Sequence, residues 1–242
     1  MLMREAGKRL ASIFQKIPAL LSPGLSTKEL DSFIEQELQM LGMHSECKGY
    51  GYPPFPCVSC ISLNDVIVHG IPHVDVRLKE GDLITVDVCA SYNGYCADMA
   101  RSYCVGGVSC KETIHLVETA YEALEKGIAQ ACVGNRISDI SHAIQSHVES
   151  QGFGVVRDFA GHGIGKRMHE DPEILNYGFP GKGPVIEVGM AFAIEPMITL
   201  RGYAVKMDKD KWTARTADGS LAAHVEDTVI VTAQGPEITT RL

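Results

Sequence analysis

The segment Ile84–Asp98, ITVDVCASYNGYCAD, decides the fold of this chain. Its Asn-Gly pair at positions 93 and 94 is typical of a two-residue type I′ turn, and the segment therefore predicts a β-hairpin. In that register Cys89 faces Asp98, and Asp87 lies diagonally from Asp98 on the same face of the ladder. Such diagonal neighbours lie about 7–8 Å apart, whereas a one-residue slip would send them to opposite faces. The hairpin thus predicts two carboxylates within reach of one shared site.

Three further polar residues lie in similar apolar or glycine-bounded strings. They are His162 in Gly-His-Gly, Glu195 before Pro196, and Glu226 in His-Val-Glu-Asp-Thr. Carboxylates are costly to bury unless something positive neutralises them, and four together repel one another. Two divalent cations would balance the four negative charges, and two-metal hydrolytic sites hold their ions about 3.5–4 Å apart. The alternative from the residues alone is a metal-free network of buried acids.

Composition limits the classes of function. The chain has 242 residues, 45% of them hydrophobic, 21% charged, and a net charge of −8. These values are typical of an enzyme with a sizeable core and argue against a bulk nucleic-acid or anionic-membrane binder. No apolar run approaches the ~20 residues of a membrane span, and the N-terminus lacks a signal-peptide pattern. With eight cysteines read as reduced thiols, and Cys57–Cys60 as a lone C-x-x-C without a zinc partner, we expect a cytoplasmic protein.

The order of elements indicates an α+β fold with an antiparallel sheet covered by helices. Apolar periodicity predicts helices at 4–19, from the capping box Ser26–Glu29 to about residue 41, at 109–131 and at 136–150. Strands are expected near 57–63, 66–68, 154–160, 190–199 and 225–232, beside the hairpin. The pattern predicts one catalytic domain, 1–242, with halves at roughly 1–108 and 109–242.

The motifs together resemble the type I methionine aminopeptidases of the pita-bread metallopeptidase family, over essentially the whole chain. The matching strings begin at Asn64, Gly81, Gly94, Gly161, His169, Ile194 and Glu226, and the first of them includes His69. The resemblance implies two pseudo-symmetric α+β halves around a curved antiparallel sheet. It also implies an enzyme that removes the initiator methionine from nascent polypeptides when the second residue is small.

By position, the resemblance implies a set of five ligands to two divalent metal ions, namely Asp87, Asp98, His162, Glu195 and Glu226. The Asp98-type and Glu226-type carboxylates bridge the ions in the family. Oxygen ligands with one imidazole suit Mn, Fe or Co, with Zn also open. A water shared by two metals loses a proton near neutral pH and becomes the nucleophile. The resemblance makes Glu195 a proton relay, and His69 and His169 catalytic residues that also contact substrate.

The same resemblance predicts a substrate pocket for the methionine side chain, lined by Cys60, Tyr52, Phe55, Met168 and Trp212. An unbranched thioether suits such a soft, adaptable lining. The chain departs from the family around the second aspartate, where Ala97, Met99 and Ala100 replace glycine and hydroxyl residues. This departure puts the metal preference in doubt. The other histidines are interpreted as surface or packing residues: His44, His73, His115, His142, His147 and His224.

Two other readings share these motifs. A prolidase or proline-specific aminopeptidase of the same fold keeps all five ligands, but it usually carries an N-terminal domain, and His69-Gly-Ile-Pro72 favours the methionine enzyme. A non-catalytic binding relative typically loses ligands, and all five are present here. The expected partners are nascent-chain N-termini, with docking to the ribosome left open. We expect a monomer with no membrane and no specific nucleic-acid partner.

Overall fold

The computed structural model describes residues 1–107 and 110–242, so the predicted junction of the two halves at 108/109 lies outside the described residues. Four α-helices are present in the described ranges: α1 (Leu2–Phe14), α2 (Thr27–Met40), α3 (Lys111–Gln130) and α4 (Ile137–Ser150). Short 3₁₀ turns follow at Ile17–Ala19 and Val105–Gly107. The predicted capping box at the start of α2 is confirmed, since the Ser26 and Glu29 side chains each bind the other's backbone N–H. None of these helices has the length and apolar character needed to span a bilayer.

Fifteen strands are found in the described ranges: β1 (His44–Ser45), β2 (Cys60–Leu63), β3 (Val66–Val68), β4 (Leu83–Tyr92), β5 (Tyr95–Cys104), β6 (Gly154–Val155), β7 (Ala160–Gly163), β8 (Glu170–Leu175), β9 (Ala191–Ile194), β10 (Met197–Thr199), β11 (Val205–Met207), β12 (Ala214–Thr216), β13 (Ala222–His224), β14 (Glu226–Thr232) and β15 (Gly235–Ile238). The main antiparallel sheet has the order β1-β4-β5-β14-β9-β7-β8, with β2 on β4 and β15 on β14. Two three-stranded sheets, β13-β10-β6 and β11-β12-β3, flank it.

The hairpin at the centre of the sheet has the predicted register. Cys89 pairs with Asp98 across β4 and β5, and Asp87 pairs with Ala100. Asn93 and its glycine neighbour have φ of 49° and 78°, as a type I′ turn requires. Ala100 also pairs with Glu226 on β14. Because paired residues share a face of an antiparallel sheet, Asp87, Asp98 and Glu226 all project from the same face.

Two neighbouring segments of the chain pass between the main sheet and a small sheet, and this passage shapes the site. The predicted continuous strand 190–199 is wrong: it breaks into β9 in the main sheet and β10 in a small sheet, with Glu195-Pro196 between them. Proline has no N–H to give to a ladder, so the pairing ends there. The sequence 222–232 breaks in the same way, and Val225 N donates to Pro196 O. The crossing places Glu195 and Glu226 at the junction of the two sheets.

Two apolar cores lie between the helices and the main sheet. One surrounds α1 and α2 and includes Leu10, Ile34 and Val86, all essentially inaccessible to solvent. The other surrounds α3 and α4 and includes Leu124 and Phe192. The helices cover one side of the sheet, so its opposite, concave side is left for the polar residues. The α+β prediction with helices on one side is thereby confirmed.

Several strands were absent from the sequence-based prediction. β8 contains Asp171-Pro172 and lies at the edge of the main sheet, where a strand tolerates a proline. β15 is a short Gly-Pro-Glu-Ile strand that pairs only with β14 in the described structure. β11, β12 and β13 have three residues each. Segments this short have too little alternation to be recognised as strands.

Candidate metal centre

The five predicted ligands line one cavity of about 170 Å³ on the concave side of the sheet. They reach it from five different strands or strand ends: Asp87 from β4, Asp98 from β5, His162 from β7, Glu195 after β9 and Glu226 at the start of β14. Since each strand contributes a single ligand, the site depends on the whole antiparallel pairing and not on a local motif.

His162 is held in one orientation by its neighbouring peptide. Its Nδ1 donates a hydrogen bond to Gly163 O at 3.0 Å, which leaves Nε2 without a proton in the neutral ring. Nε2 lies 3.9 Å from Asp98 Oδ2 and 3.6 Å from Glu195 Oε1. The ring is buried, with 8% of its surface exposed. This is the tautomer and the geometry in which an imidazole binds a metal through Nε2.

The donor set fits a cation. One ligand atom from each of Asp98, His162 and Glu226 lies within 4.8 Å of the other two. Glu226 Oε1 is buried and has no hydrogen-bond partner among the described residues. A buried carboxylate oxygen that the protein itself leaves unpaired is costly unless a cation neutralises it. Oxygen donors with one imidazole match the divalent metals expected from the sequence.

Burial makes the carboxylates difficult to ionise in the absence of bound cations. Burial, followed by the charge of Asp98, raises the pKa of Asp87 to about 8. Burial and the charge of Glu195 raise the pKa of Asp98 to about 7. The pKa values of Glu195 and Glu226 are also raised, chiefly by burial. Burial lowers the pKa of His162 to about 4, so its ring is a neutral potential ligand at pH 7.

Two of the carboxylates have a thiol as their cross-strand neighbour. Cys60 pairs with Asp87 across β2 and β4, and Cys89 pairs with Asp98 across β4 and β5. Each thiol works against the effect of burial and lowers the pKa of its carboxylate. Met99 N donates to Asp98 Oδ1 at 3.1 Å. The surroundings of these two carboxylates are therefore thiols and a backbone amide. Cys89 was interpreted as a packing residue, although its predicted position opposite Asp98 was the signal for this contact.

His69 and His169 both line the cavity. His69, which follows β3 with a positive φ of 59°, has its ring edge-to-face with Phe159 and Trp212 at 5.3 Å and 5.9 Å. Burial lowers its pKa to about 4. The His169 ring lies 4.3 Å from that of His162, centroid to centroid. Neither belongs to the cluster of ligand atoms formed by Asp98, His162 and Glu226, which also does not include Asp87 or Glu195.

An apolar and sulfur-containing wall completes the cavity. Phe55, Cys60, Met168 and Trp212 line it as predicted. The Trp212 indole packs edge-to-face against Phe55 at 5.3 Å, and its Nε1 donates to Pro53 O at 2.8 Å. This hydrogen bond fixes the plane of the indole within the wall.

The prediction for Tyr52 was wrong, since this side chain is 93% exposed and does not line the cavity. Tyr50 takes the inward position, and its Oη is hydrogen-bonded to His169 Nδ1 at 2.7 Å. The loop closes through Phe55 N to Tyr50 O and Gly49 N to Phe55 O, which turns Tyr50 inward. Two tyrosines separated by one residue gave no sequence signal for choosing between them.

His224 also differs from its interpretation as an ordinary surface or packing residue. It is 2% exposed, and its Nε2 lies 3.4 Å from Glu195 Oε2. It lies behind Glu195 and is not part of the cavity lining, whereas Cys47, Phe159 and Met197, which the sequence did not single out, line the cavity. His224 is two residues before Glu226, and this spacing was the only sequence signal for its place at the site.

Comparison with known proteins agrees with this geometry. The model of metallopeptidase family M24 matches residues 1–233. The chain is 47% identical to the methionine aminopeptidase of Clostridium acetobutylicum, over 98% of this chain and 94% of that protein. It is similar to the crystal structure of methionine aminopeptidase from Thermotoga maritima, with 40% identity, a TM-score of 0.96, and coverage of 100% and 96% of the two chains.

The chain therefore belongs to metallopeptidase family M24, and within that family to the methionine aminopeptidases. The prolidase of Pyrococcus furiosus has 22% identity and a TM-score of 0.79, with coverage of 100% of this chain and 63% of that one. That likeness concerns the fold alone. The pita-bread fold class and the methionine aminopeptidase assignment made from sequence are both confirmed.

Proposed function

We propose that the enzyme removes methionine from the N-termini of nascent polypeptides whose second residue is small, through a centre of two divalent cations. The observation that carries this proposal is the convergence of four carboxylates and one neutral imidazole on one cavity with an apolar, sulfur-containing wall. The proposed ligands are Asp87, Asp98, His162, Glu195 and Glu226. Asp98 and Glu226, which each have a ligand atom within 4.8 Å of the other and of His162, are the proposed bridging carboxylates.

The chemistry that the bound cations would supply is acidification of a water molecule, so that it attacks the scissile carbonyl near neutral pH. The proposed part of Glu195 is to accept the proton of that water. Its carboxylate faces the cavity between two imidazoles, 3.6 Å from His162 Nε2 and 3.4 Å from His224 Nε2. Burial raises the pKa of Glu195, so this carboxylate accepts a proton more readily than an exposed one. Mn, Fe, Co and Zn remain the candidate ions.

The two auxiliary histidines are proposed to bind the reacting peptide group. Tyr50 occupies His169 Nδ1, so Nε2 is the nitrogen free to donate to the oxyanion that forms on the scissile carbonyl. His69 is neutral at pH 7 because its pKa is lowered to about 4. A neutral imidazole can donate a hydrogen bond to the scissile amide without adding a positive charge near the cations.

The wall of Phe55, Cys60, Met168 and Trp212 is the proposed binding surface for the methionine side chain. Sulfur and aromatic groups make favourable contacts with a thioether. The free α-amino group of the substrate would lie among the buried carboxylates, so the cavity admits one residue before the scissile bond. The exposed His169 and Tyr50 at the cavity mouth leave limited room beyond that bond, which favours a small second residue.

The substrate class is tested by methionine release from Met-Ala-Ser, Met-Leu-Ser and Ala-Pro-Ser. Metal-stripped protein is titrated with Mn²⁺, Fe²⁺, Co²⁺ and Zn²⁺, and the products are separated by chromatography. We expect metal-dependent release from Met-Ala-Ser and little cleavage of the other two peptides. Cleavage of Ala-Pro-Ser alone would instead favour the proline-specific reading. No cleavage by folded protein with any metal would favour a non-catalytic binding relative.

A matched pair of variants separates the site from the rest of the fold. Glu226→Gln removes one charge from the cavity, while Glu118→Gln makes the same chemical change on the exposed face of α3. We expect the first to abolish metal-dependent release and the second to leave it unchanged.

We also propose that the enzyme acts as a cytoplasmic monomer. Analytical ultracentrifugation of the holoenzyme tests the monomeric state by the mass in solution.

A further inference from the structure

His224 is a buried imidazole whose side chain has no hydrogen bond within the described structure. It ends β13 and is 2% exposed. Neither Nδ1 nor Nε2 has a hydrogen-bond partner among the described residues. A neutral imidazole carries one donor and one acceptor, and burying both unpaired is unfavourable. The ring therefore needs a polar partner among the side chains that face it.

The nearest charged acceptor is the carboxylate of Glu195. Its Oε2 lies 3.4 Å from His224 Nε2, and its Oε1 lies 3.6 Å from His162 Nε2. The two oxygens thus face two different imidazoles. Because Oε1 faces the proposed ligand His162, Oε2 is the oxygen left for a hydrogen bond from the protein.

The backbone holds His224 rigidly in this position. His224 pairs with Met197, two residues after Glu195, across β10 and β13. Val225 N also donates to Pro196 O, which adds a second backbone contact between the segment after Glu195 and the segment around His224. Asn176 Nδ2 donates to the main-chain oxygen of Glu195 at 2.9 Å, which anchors the peptide but not the carboxylate. His224 is therefore the group best placed to fix the carboxylate itself.

We propose that His224 is a positioning residue of the metal centre, which donates a hydrogen bond from Nε2 to Glu195 Oε2 and keeps Oε1 directed toward the cations. The inference rests on the proposed function, because it takes Glu195 as a metal ligand. Groups that orient a metal ligand from behind typically change metal affinity or activity by about 10–100-fold when removed. His224 acts through Glu195 and touches neither the substrate nor the water.

Three substitutions test this role. His224→Gln keeps an amide nitrogen at about the distance of Nε2, whereas His224→Asn keeps a polar group that reaches only the position of Nδ1. His224→Leu fills the space without a donor. We expect Mn²⁺ affinity, measured by isothermal titration calorimetry on metal-stripped protein, to fall about 10–100-fold in the Leu and Asn variants. We expect the Gln variant to stay within about threefold of wild type.

Two further readouts distinguish positioning from packing. The visible absorption spectrum of the Co²⁺-loaded protein should differ from that of wild type in the Leu and Asn variants. In the Gln variant it should match that of wild type. With saturating Mn²⁺ and Met-Ala-Ser, kcat should fall in the Leu and Asn variants while KM changes less than about twofold. Thermal unfolding of each metal-stripped variant shows whether it is folded. If the Leu variant does not fold, the comparison of the Gln and Asn variants still tests the role of His224.

The outcomes separate this inference from the proposed function. Wild-type affinity and spectrum in folded Asn and Leu variants would overturn the positioning role and leave the proposed function intact. Equal losses in the folded Gln, Asn and Leu variants would also overturn it, since restoring the donor would have no effect. A wild-type protein that binds Mn²⁺ but releases no methionine would overturn the proposed function, while the Mn²⁺ titrations still decide on His224. A wild type that binds no Mn²⁺ would overturn both.

Discussion

Glu226→Gln should make the metal-free protein more stable. It should also reduce the gain in stability that bound cations give. Glu226 is 2% exposed, and its Oε1 has no hydrogen-bond partner among the described residues. Glutamine has nearly the same shape but no charge. The substitution therefore removes a carboxylate that is unfavourable without cations and necessary with them.

The size of the effect follows from the distances in the site. Ligand atoms of Glu226 and Asp98 lie within 4.8 Å of each other. Two unit charges at that separation repel by about 3.5 kcal/mol at an effective dielectric constant of 20. Proton sharing relieves part of this repulsion, because burial raises the pKa of Asp98 to about 7 and that of Glu226 above its usual range. We expect a net gain of roughly 1–3 kcal/mol for the metal-free variant.

The sign of the pH dependence is also fixed. A carboxylate whose pKa is raised in the folded state binds more protons there than in the unfolded chain. Its contribution to folding stability is therefore fully present below the unfolded pKa and is lost as pH rises toward the folded pKa. Metal-free wild type should lose stability between about pH 4 and pH 8, the range bounded by the raised pKa of Asp87. Glu226→Gln should lose less over the same interval.

Differential scanning calorimetry at pH 8 measures both effects. For a chain of this size, 1 kcal/mol shifts the unfolding temperature by about 2–4 °C. The metal-free variant should melt above wild type by roughly 2–12 °C. Mn²⁺ at a hundred times its Kd should stabilise wild type by about 2.7 kcal/mol, and the variant by much less. Glu118→Gln is the control and should follow wild type. A metal-free Glu226→Gln protein that melts below wild type, or gains as much from Mn²⁺, would refute the reasoning.

Three other substitutions have definite expected outcomes. Tyr50→Phe removes the 2.7 Å hydrogen bond to His169 and should lower kcat on Met-Ala-Ser by about 2–12-fold, with Mn²⁺ affinity unchanged in calorimetry. Gly51→Ala adds a Cβ 2.5 Å from the indole of the only tryptophan, at a φ of +71°, and should raise KM by about tenfold; an unchanged KM would contradict the pocket assignment. Arg101→Met removes one partner of the fully buried Asp227 and should destabilise the fold by about 3 kcal/mol in urea titration.

The hairpin was predictable because its information is local. An Asn-Gly turn and the alternation of the flanking residues determine the register, and the observed pairing of Cys89 with Asp98 follows from them. The same register places Asp87 and Asp98 on one face without any long-range contact. The capping box of α2 is equally local and was predicted in the same way.

The crossing of the two sheets was not predictable from local pattern. The segment around Glu195 reads as one strand, because apolar residues continue on both sides of Glu195-Pro196, whereas the strand predicted at 225–232 agrees with β14 and only the short β13 before it was missed. Only the pairing of β10 with β13 shows where the chain leaves the main sheet. The same nonlocal pairing brings His224 to Glu195, and it explains why a buried histidine at the site was interpreted as a packing residue. Likewise, the choice of Tyr50 over Tyr52 depends on loop closure.

The central claim is that five residues of this methionine aminopeptidase hold two cations in one cavity. The most direct measurement is X-ray diffraction from Mn²⁺-loaded crystals, collected on both sides of the manganese absorption edge. We expect two anomalous peaks about 3.5–4 Å apart, bounded by the five proposed ligands. No peak in this cavity, or manganese bound only by residues outside it, would contradict the assignment of the metal centre.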